Sequence, residues 1–327
     1  MSFKKIRGQD RQIEILTSSI KRGTVSHAYL FTGIPGIGKR ATAIAMAKAL
    51  NCETGSGDFC DGCISCKKIE HRTHPDIHWV EPEGDYIKID QIRRMQEQIK
   101  FTLYEGKSKV VIIYKAQNMN LQSSNCLLKT LEEPPPHTVL ILLTTAPYRM
   151  LPTIRSRCQR VMFQPLSSEL ISEIVRELYG GDNEKLKLSA SLAGGSVGKA
   201  IQWMEGDALK GRKELLERIN QLTKGHVTAT LDLAESLGED KEVLMEILDL
   251  LRLWFRDLLV YKETHEPHYL INQDLEDDVS RKAFLSSWPD LFEKVKILTD
   301  VQLALHGNVN PRIAMESMLL NCASRNT

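Results

Sequence analysis

The chain has 327 residues, which is long enough for two or three domains that each bury a core. Its 43 Lys and Arg residues against 42 Asp and Glu residues leave a formal net charge of +1, which argues against wholesale coating of nucleic acid but leaves room for a local basic face. The N-terminus lacks the apolar segment of a signal peptide, and no apolar run reaches the ~18 residues of a membrane span. We therefore expect a cytoplasmic protein.

Short apolar runs alternate with helical patterns in the first half, which indicates an α/β domain with a parallel sheet. The predicted strands are residues 27–33, 76–82, 109–117 and 138–145, with a final edge strand at 161–166. The predicted helices are residues 39–51, 89–101, 120–136 and 152–160. Asp90 is the expected N-cap of the helix at 89–101.

The pattern changes after Pro165, where the predicted strands cease. Three short helices are predicted at residues 167–178, 184–193 and 197–204, closed by Gly206. Helical patterns then continue to the end of the chain, with a loop at 262–275. The predicted domains are a nucleotide-binding-like α/β domain (1–166), a small helical domain (167–206) and an all-α domain (207–327).

Residues 33–40 read GIPGIGKR and fit seven of the eight positions of a phosphate-binding loop, G-x-x-x-x-G-K-[ST]. The loop follows a predicted strand and opens a predicted helix, as this motif requires. Gly33, Gly36 and Gly38 let backbone N–H groups turn towards phosphate oxygens, while Lys39 and the helix N-terminus add positive charge. The sequence therefore predicts a nucleotide-binding loop rather than a chance Gly-rich turn.

The groups that hydrolysis needs are replaced around this loop. Arg40 stands where a Ser or Thr hydroxyl would hold Mg²⁺. Tyr114 and Lys115 end the third predicted strand, where related enzymes place acidic residues. Because the metal ligand and both acids are replaced, we expect no Mg²⁺ site and no hydrolysis, while binding of ATP or ADP stays open.

Four segments resemble the clamp-loader branch of the AAA+ ATPases, which serves bacterial DNA polymerase III. They are SHAYLFTGIPGIGK (26–39), HPDIHWVEPEGDYIKIDQIR (74–93), NCLLKTLEEPPPHTVLILLTT (125–145) and IRSRCQR (154–160). The resemblance implies five parallel strands in an AAA+ P-loop domain, a helical lid at 167–206 and an all-α collar at 207–327. It also implies partners: ATPase subunits of the gamma/tau type, a delta subunit, the sliding clamp and primed DNA.

Within this branch the departures are typical of a non-hydrolysing, stator-like subunit that helps to load the clamp. In the ATPase relatives a lid helix opens with an Arg that contacts the nucleotide, and the resemblance places Gly198 at that position, beside Lys199. Two alternatives remain open. The chain could be an active gamma-type clamp-loader ATPase, or a zinc-containing nucleic-acid-binding scaffold outside replication.

Four of the seven cysteines fall within residues 52–66. Cys52, Cys60, Cys63 and Cys66 have the spacing C-x7-C-x2-C-x2-C, and four thiolates match the tetrahedral preference of structural Zn²⁺. Free cysteines or a redox pair are the alternative. The resembled clamp loaders carry such a zinc module inserted in the AAA+ domain. Because four Cys complete the metal shell, we interpret three nearby histidines as surface or turn residues: His71, His74 and His78.

The triplet SRC places Arg157 on a short predicted helix before the edge strand. The resemblance implies that this Arg acts in trans as an arginine finger in the ATP site of a neighbouring subunit, where a guanidinium can offer forked donors to phosphate oxygens. A salt bridge to an acid such as Glu132 or Glu133 is the alternative, and the local sequence alone favours it. The intact triplet beside a degenerate phosphate loop favours the finger.

The helix at 89–101 carries Arg93, Arg94 and Lys100, which are candidates for contacts with DNA phosphates. A solvated helix face is the alternative for each of them. Contacts of this kind would be indifferent to base sequence.

Overall fold

The computed structural model describes residues 3–55, 57–180, 184–205, 208–222, 227–307 and 309–323. The chain divides into two compact units. The first comprises the residues up to Ile174 together with Gly194–Lys199, and the second comprises Val175–Ala193 and the residues from Ala200 onwards. No helix within the described residues is both long and apolar enough to cross a membrane.

The first unit is built on a five-stranded sheet. Its strands are β1 (Ala28–Thr32), β2 (Ile77–Val80), β3 (Lys109–Ile113), β4 (Thr138–Thr144) and β5 (Gln159–Met162). Their order is β2-β3-β4-β1-β5, and every pairing between neighbours is parallel. Every residue of β1, β3 and β4 is buried, as expected for central strands of a parallel sheet covered on both faces.

Helices cover both faces of this sheet. They are α1 (Asp10–Lys21), α2 (Lys39–Asn51), α3 (Ile64–Glu70), α4 (Ile89–Lys100), α5 (Leu121–Glu132) and α6 (Pro152–Arg157). Successive residues of β1 point to opposite faces, so Phe31 packs in the core with Met46 of α2 while Leu30 packs in the core with Ile92 of α4 and Leu127 of α5. The phosphate loop, between β1 and α2, is thus anchored at both ends in a packed core.

Side chains near the start of the chain form hydrogen bonds with main-chain groups at the edge of the sheet formed by β5. Gln9 donates from Nε2 to the carbonyl of Gln164 over 2.8 Å and accepts from the Gln164 N–H over 3.1 Å. Gln12 donates from Nε2 to the carbonyl of Met162. These two glutamines therefore occupy main-chain groups along the edge strand and just beyond it.

The second unit is helical. α7 (Ser168–Tyr179) and α9 (Val197–Glu205) each begin in the first unit and end in the second. The remaining helices are α8 (Glu184–Leu192), α10 (Ala208–Gln221), α11 (Val227–Ser236), α12 (Lys241–Thr264), α13 (Glu276–Leu285), α14 (Trp288–His306) and α15 (Pro311–Ala323). Their largest core gathers around Trp254 and Phe255 of α12, with Leu298 of α14 and Met315 of α15.

A buried carboxylate fixes the connection that follows α12. Asp257 is fully buried and accepts from the backbone N–H groups of Ile271 and Asn272 and from the Asn272 side chain at 2.6–3.1 Å. Arg256 supplies the balancing charge at 2.6 Å. Residues 271 and 272 of the predicted loop at 262–275 are therefore held against α12, the helix that precedes the loop.

Most predicted elements are confirmed, but several bounds differ. The strand predicted at 109–117 ends at Ile113, and the helices predicted at 120–136 and 152–160 end at Glu132 and Arg157. The edge strand covers Gln159–Met162 rather than 161–166, because the chain leaves the ladder after the Phe163 N–H bonds to Thr32. Lys88, not Asp90, is the N-cap of α4, and the Lys88 N–H donates to Gln91 Oε1 over 2.9 Å. His74, which is 3% exposed, and His78, which lies within β2, are not the surface or turn residues that were predicted. The predicted end of the small helical domain at Gly206, and the boundary at 206–207, lie outside the described residues.

Candidate functional site

The loop between β1 and α2 has the backbone shape of a phosphate-binding loop. Gly36 and Gly38 have φ of 67° and 99°, a left-handed conformation that favours glycine, and Gly38 is the N-cap of α2. The N-terminus of α2 therefore faces into the loop, where a helix favours an anion.

Lys39, however, bonds to the loop itself. Its Nζ donates to the carbonyls of Gly33 at 2.6 Å and Ile34 at 2.7 Å, and the residue is only 8% exposed. Burial lowers the pKa of Lys39 to about 8. In phosphate-binding loops this ammonium faces a phosphate. Here it donates instead to two backbone carbonyls of the loop itself.

A short segment of the first unit packs directly on the loop. Ser196 donates from Oγ to the Pro35 carbonyl over 2.8 Å, and the Gly198 N–H donates to the Gly36 carbonyl over 2.9 Å. A Cβ on Gly36 would lie 2.5 Å from Ser196 Oγ and 2.9 Å from Gly198 Cα. Gly198, the predicted substitute for a nucleotide-contacting Arg, therefore lies against the loop, and its lack of a side chain permits that approach.

Arg40 extends to the carboxyl ends of β2 and β3. Its guanidinium carbon lies 5.4 Å from the ring centre of Tyr114 and 5.9 Å from that of Trp79, and Nη2 is 3.3 Å from Glu81 Oε1. Tyr114 follows β3 and bonds through its N–H to the Val80 carbonyl. Arg40 and Tyr114, which the sequence analysis identified separately as departures from an ATPase, are thus in contact.

Three residues of this cluster were not predicted from the sequence: Arg72, Trp79 and Glu81. Arg72 pairs with Glu81 over 3.1 Å, and its guanidinium stacks 4.4 Å from the Trp79 ring centre. Lys115, with φ of 50°, places its Nζ 5.8 Å from the Tyr114 ring. The available signal was the position of Trp79 and Glu81 at the end of β2, directly beside the end of β3. Arg72, on a turn outside any predicted element, gave none.

The four cysteines of the predicted zinc site converge. The Sγ atoms of Cys52, Cys60, Cys63 and Cys66 all lie within 4.8 Å of one another, close to the ~3.8 Å edge of a tetrahedron with Zn–S bonds of ~2.3 Å. Cys63 is the N-cap of α3 and accepts from the Cys66 N–H at 3.4 Å, while Cys60 accepts from the Cys63 N–H at 3.3 Å. These N–H groups stabilise thiolates.

The ionisation of these thiols also fits a metal site. Burial opposes ionisation of Cys52, but hydrogen bonds from Thr54 and Cys60 outweigh it and lower the pKa of Cys52 to about 6. Burial, together with a hydrogen bond to Cys63, raises the pKa of Cys66 to about 12. Four clustered thiols cannot all ionise without a cation, so the donor set suits an ion such as Zn²⁺.

The nearby histidines do not join this cluster among the described residues. His74 Nδ1 accepts from the Asp76 N–H at 3.2 Å, and burial lowers the pKa of His74. The Asp76 carboxylate in turn accepts three backbone N–H groups from the loop at 104–106 at 2.7–2.9 Å. His74 therefore belongs to a structural network that shapes this loop.

Arg157, at the end of α6, forms the ion pair that the sequence analysis gave as the alternative. Its Nη2 lies 2.8 Å from Glu132 Oε1, and its Nη1 donates to the Thr153 carbonyl over 3.1 Å. The Arg157 side chain is 37% exposed. The guanidinium is thus reachable from solvent and held by its own subunit.

The three candidate DNA contacts lie exposed on α4. Arg93 pairs with Asp90 at 3.6 Å, and Arg94 pairs with Glu83 at 3.2 Å. Lys100 is the last residue of the helix. Nearby acids therefore offset two of the three positive charges.

Two family models match the chain. The model described as "DNA polymerase III, delta subunit" matches residues 8–167, and the model described as "DNA polymerase III, delta subunit, C terminal" matches residues 206–324. The phosphate loop, the cysteine cluster and Arg157 all fall within the first of these matches.

Among curated proteins, the chain is 34% identical over 317 residues to DNA polymerase III subunit delta' of Bacillus subtilis, covering 95% of each chain. It is 33% identical to the delta' subunit of Pseudomonas aeruginosa, covering 93% of each, and 30% identical to the tau subunit of Bacillus subtilis, covering 96% of this chain and 60% of tau. A gamma subunit-related structure from Thermotoga maritima aligns with 97% of this chain at 20% identity and a TM-score of 0.49. From the family models and the delta' relatives, the chain belongs to the DNA polymerase III delta-subunit family.

Proposed function

We propose that the chain is a delta-prime-type subunit of a bacterial clamp loader that does not itself hydrolyse ATP. In this proposal it assembles with gamma/tau-type ATPase subunits and a delta subunit, and helps to load a sliding clamp onto primed DNA. The family membership supports the assembly, since the relatives are named as DNA polymerase III subunits.

One observation carries the non-hydrolysing part: the guanidinium of Arg40, the residue that follows the loop lysine, lies against Tyr114 and Glu81 at the carboxyl ends of β3 and β2. Phosphoryl-transfer sites of this type hold Mg²⁺ between a loop hydroxyl and a strand-end carboxylate. A fixed cation held by an ion pair and two aromatic rings opposes metal entry by charge and by volume. Lys39 supports the same conclusion, because its ammonium is already bonded to loop carbonyls.

We propose that Arg157 contributes to the ATP site of a neighbouring subunit. The side chain is partly exposed at the end of α6, and its partner Glu132 is itself 49% exposed, so the pair can open at small cost. A guanidinium supplied in trans can stabilise the charge that spreads over the γ-phosphate oxygens.

The remaining sites take supporting roles. Cys52, Cys60, Cys63 and Cys66 hold a structural Zn²⁺, and residues 167–206 and 207–327 serve as lid and collar. Arg93, Arg94 and Lys100 are candidates for phosphate contacts inside the assembled ring, with Lys100 the strongest because acids neutralise the other two.

An active gamma-type ATPase is the second candidate, and it is favoured by the 30% identity to a tau subunit. The two candidates differ in a direct assay. The purified chain should show no Mg²⁺-dependent ATP turnover, and a rate near ~1 s⁻¹ that disappears in Lys39→Ala would establish the ATPase instead.

Reconstitution tests the finger. In a complex with ATPase, delta and clamp components, Arg157→Ala should leave assembly intact and lower the clamp- and DNA-stimulated ATPase. The loss of ATPase rate should be smaller than the ~10³–10⁵-fold contribution of an arginine finger at a single site. The reason is that the other ATP sites of the ring keep their own arginine fingers. Arg157→Lys should restore little, since an ammonium lacks the planar fork. Loss of assembly in step with activity would make Arg157 an interface residue instead.

A further inference from the structure

The contacts of Arg157 describe a side chain folded back on its own subunit. Nη1 bonds to the carbonyl of Thr153, four residues earlier on the same helix, while Nη2 pairs with Glu132 on α5. Both terminal nitrogens of the guanidinium thus have partners within their own subunit. A guanidinium in this conformation must release both contacts before it can offer its fork to a phosphate outside the subunit.

Glu132 is placed where it attracts a cation. It is the last residue of α5, so its carboxylate sits at the end of the helix that already carries partial negative charge. Glu133 follows as the C-cap, and three prolines from Pro134 to Pro136 restrict the chain beyond it. The position of the carboxylate is therefore set by the helix end rather than by a free loop.

The pair has the strength expected of a reversible contact. Both side chains are partly exposed, at 37% and 49%, and solvent screens such pairs so that they are worth little. A triphosphate carries more charge than a carboxylate and accepts both arms of the guanidinium, so it can displace Glu132 when it is brought close enough.

We infer that Glu132 is a positioning residue that holds Arg157 in a retracted conformation and releases it when a neighbouring subunit presents a nucleotide. This inference rests on the proposed function of Arg157. Glu132 competes with the nucleotide for one guanidinium, and it therefore sets how often the finger is engaged.

The test compares the ATPase rates of reconstituted complexes that carry wild-type chain, Glu132→Gln, Arg157→Ala or both changes, with assembly monitored in parallel. Glu132→Gln should raise the stimulated rate about 1.5- to 5-fold, the range that corresponds to the loss of an exposed ion pair. The same change in the Arg157→Ala background should have no effect. Glu133→Gln removes an equal charge one residue further on and serves as the matched control, with no change expected.

The outcomes separate the two claims. If Arg157→Ala leaves the rate unchanged while the complex assembles, the proposed finger fails and the inference falls with it. If Arg157→Ala lowers the rate but Glu132→Gln leaves it unchanged or lowers it, the finger stands and the retracted state is wrong. An equal rise in the Arg157→Ala background, or with Glu133→Gln, would show a general charge effect and would also overturn the inference.

A second readout needs only the full chain alone. The Arg157 Nε–H resonance in ¹⁵N-labelled protein should show faster side-chain motion in Glu132→Gln than in wild type or Glu133→Gln. Unchanged motion would mean that Glu132 does not hold the guanidinium, and would overturn the inference independently of any ATPase.

Discussion

Lys39 and Arg40 are adjacent residues whose side chains meet different needs. Lys39 turns into the loop and bonds to the carbonyls of Gly33 and Ile34, while Arg40 extends to Glu81 and two aromatic rings. Both cations lie at the N-terminus of α2, and the N-terminus of a helix favours an anion. Each nevertheless has its hydrogen-bond or ion-pair partners within its own subunit.

The lowered pKa of Lys39 predicts a pH dependence of stability. Its folded value of about 8 lies below the ~10.4 of an unfolded lysine, so between these values the unfolded chain binds more protons and stability rises with pH. Wild type should therefore gain up to ~3 kcal/mol relative to Lys39→Met from pH 8 to pH 10.5. Urea unfolding at several pH values measures this difference. A difference between wild type and Lys39→Met that stays constant across this pH range would contradict the lowered pKa of Lys39.

The contact between Gly36 and Gly198 gives a second prediction at this scale. Alanine at Gly36 or at Gly38 must adopt a left-handed φ, at ~1–2 kcal/mol each. A Cβ on Gly36 also collides with Ser196 and Gly198, whereas one on Gly38 meets nothing within 4 Å. Gly36→Ala should therefore lower the free energy of unfolding by ~1–3 kcal/mol more than Gly38→Ala. Equal losses would show that the segment at 195–198 moves aside freely.

At the scale of elements, the cysteine-bearing insertion (52–70) contains a short helix, α3, whose N-cap Cys63 is one of the four candidate metal ligands. Lys48 of α2 joins this insertion to the sheet domain through ion pairs of 2.5 Å to Asp61 and Glu70. The Asn51 side chain accepts from the Lys107 and Ser108 N–H groups, so the same helix also fixes the loop before β3. The cysteine-bearing insertion is therefore joined to the sheet domain by polar contacts in addition to the four cysteines.

We expect one zinc ion per chain, and Cys63→Ala should lose it. Structural zinc in small modules has an apparent binding free energy of ~10–16 kcal/mol, so the insertion should become disordered while the sheet core stays folded. Elemental analysis measures the zinc, and hydrogen exchange locates the disorder. Cys126→Ser, outside the cluster, should keep full zinc content. Metal-free wild-type protein, freshly prepared without chelators, would refute the site.

The elements show what the sequence could and could not predict. Strands β1 and β4 were predicted within one residue, because continuous apolar runs bounded by turns leave few alternatives. The helices α1 and α3 were not predicted. α3 has only seven residues, and its capping depends on the fold of the cysteine loop. The edge strand was predicted two residues too late because it begins with the exposed polar residues Gln159 and Arg160, and its pairing with β1 is not visible in the local sequence.

The same limit applies to the candidate site. Spacing alone located the loop and the four cysteines, because both motifs are local in sequence. The Arg40 cluster brings together residues 40, 72, 79, 81 and 114, and no local pattern links them. The sequence predicted a salt bridge of Arg157 to an acid such as Glu132 or Glu133 only as an alternative, and the geometry identifies Glu132 as the partner.

For the whole molecule, a net charge of +1 predicts weak binding to DNA outside a complex. Non-specific binding depends on the number of phosphates that cations neutralise, and acids pair with two of the three candidates on α4. At physiological salt the isolated chain should bind a duplex no more tightly than ~10⁻⁴ M. Fluorescence anisotropy with a labelled primed duplex measures this. Micromolar binding that Lys100→Ala weakens would instead establish an independent DNA site.

The hydrogen bonds from Gln9 and Gln12 at the edge of the sheet have a consequence for solubility. An uncovered edge strand offers main-chain groups to any passing chain, and that is a common route to aggregation. Here two neutral amides from α1 and its N-cap engage those groups without adding charge. The carbonyl of Met162 on β5 is thus already occupied and is not offered to another strand, and the residue that occupies it lies 150 positions earlier in the sequence.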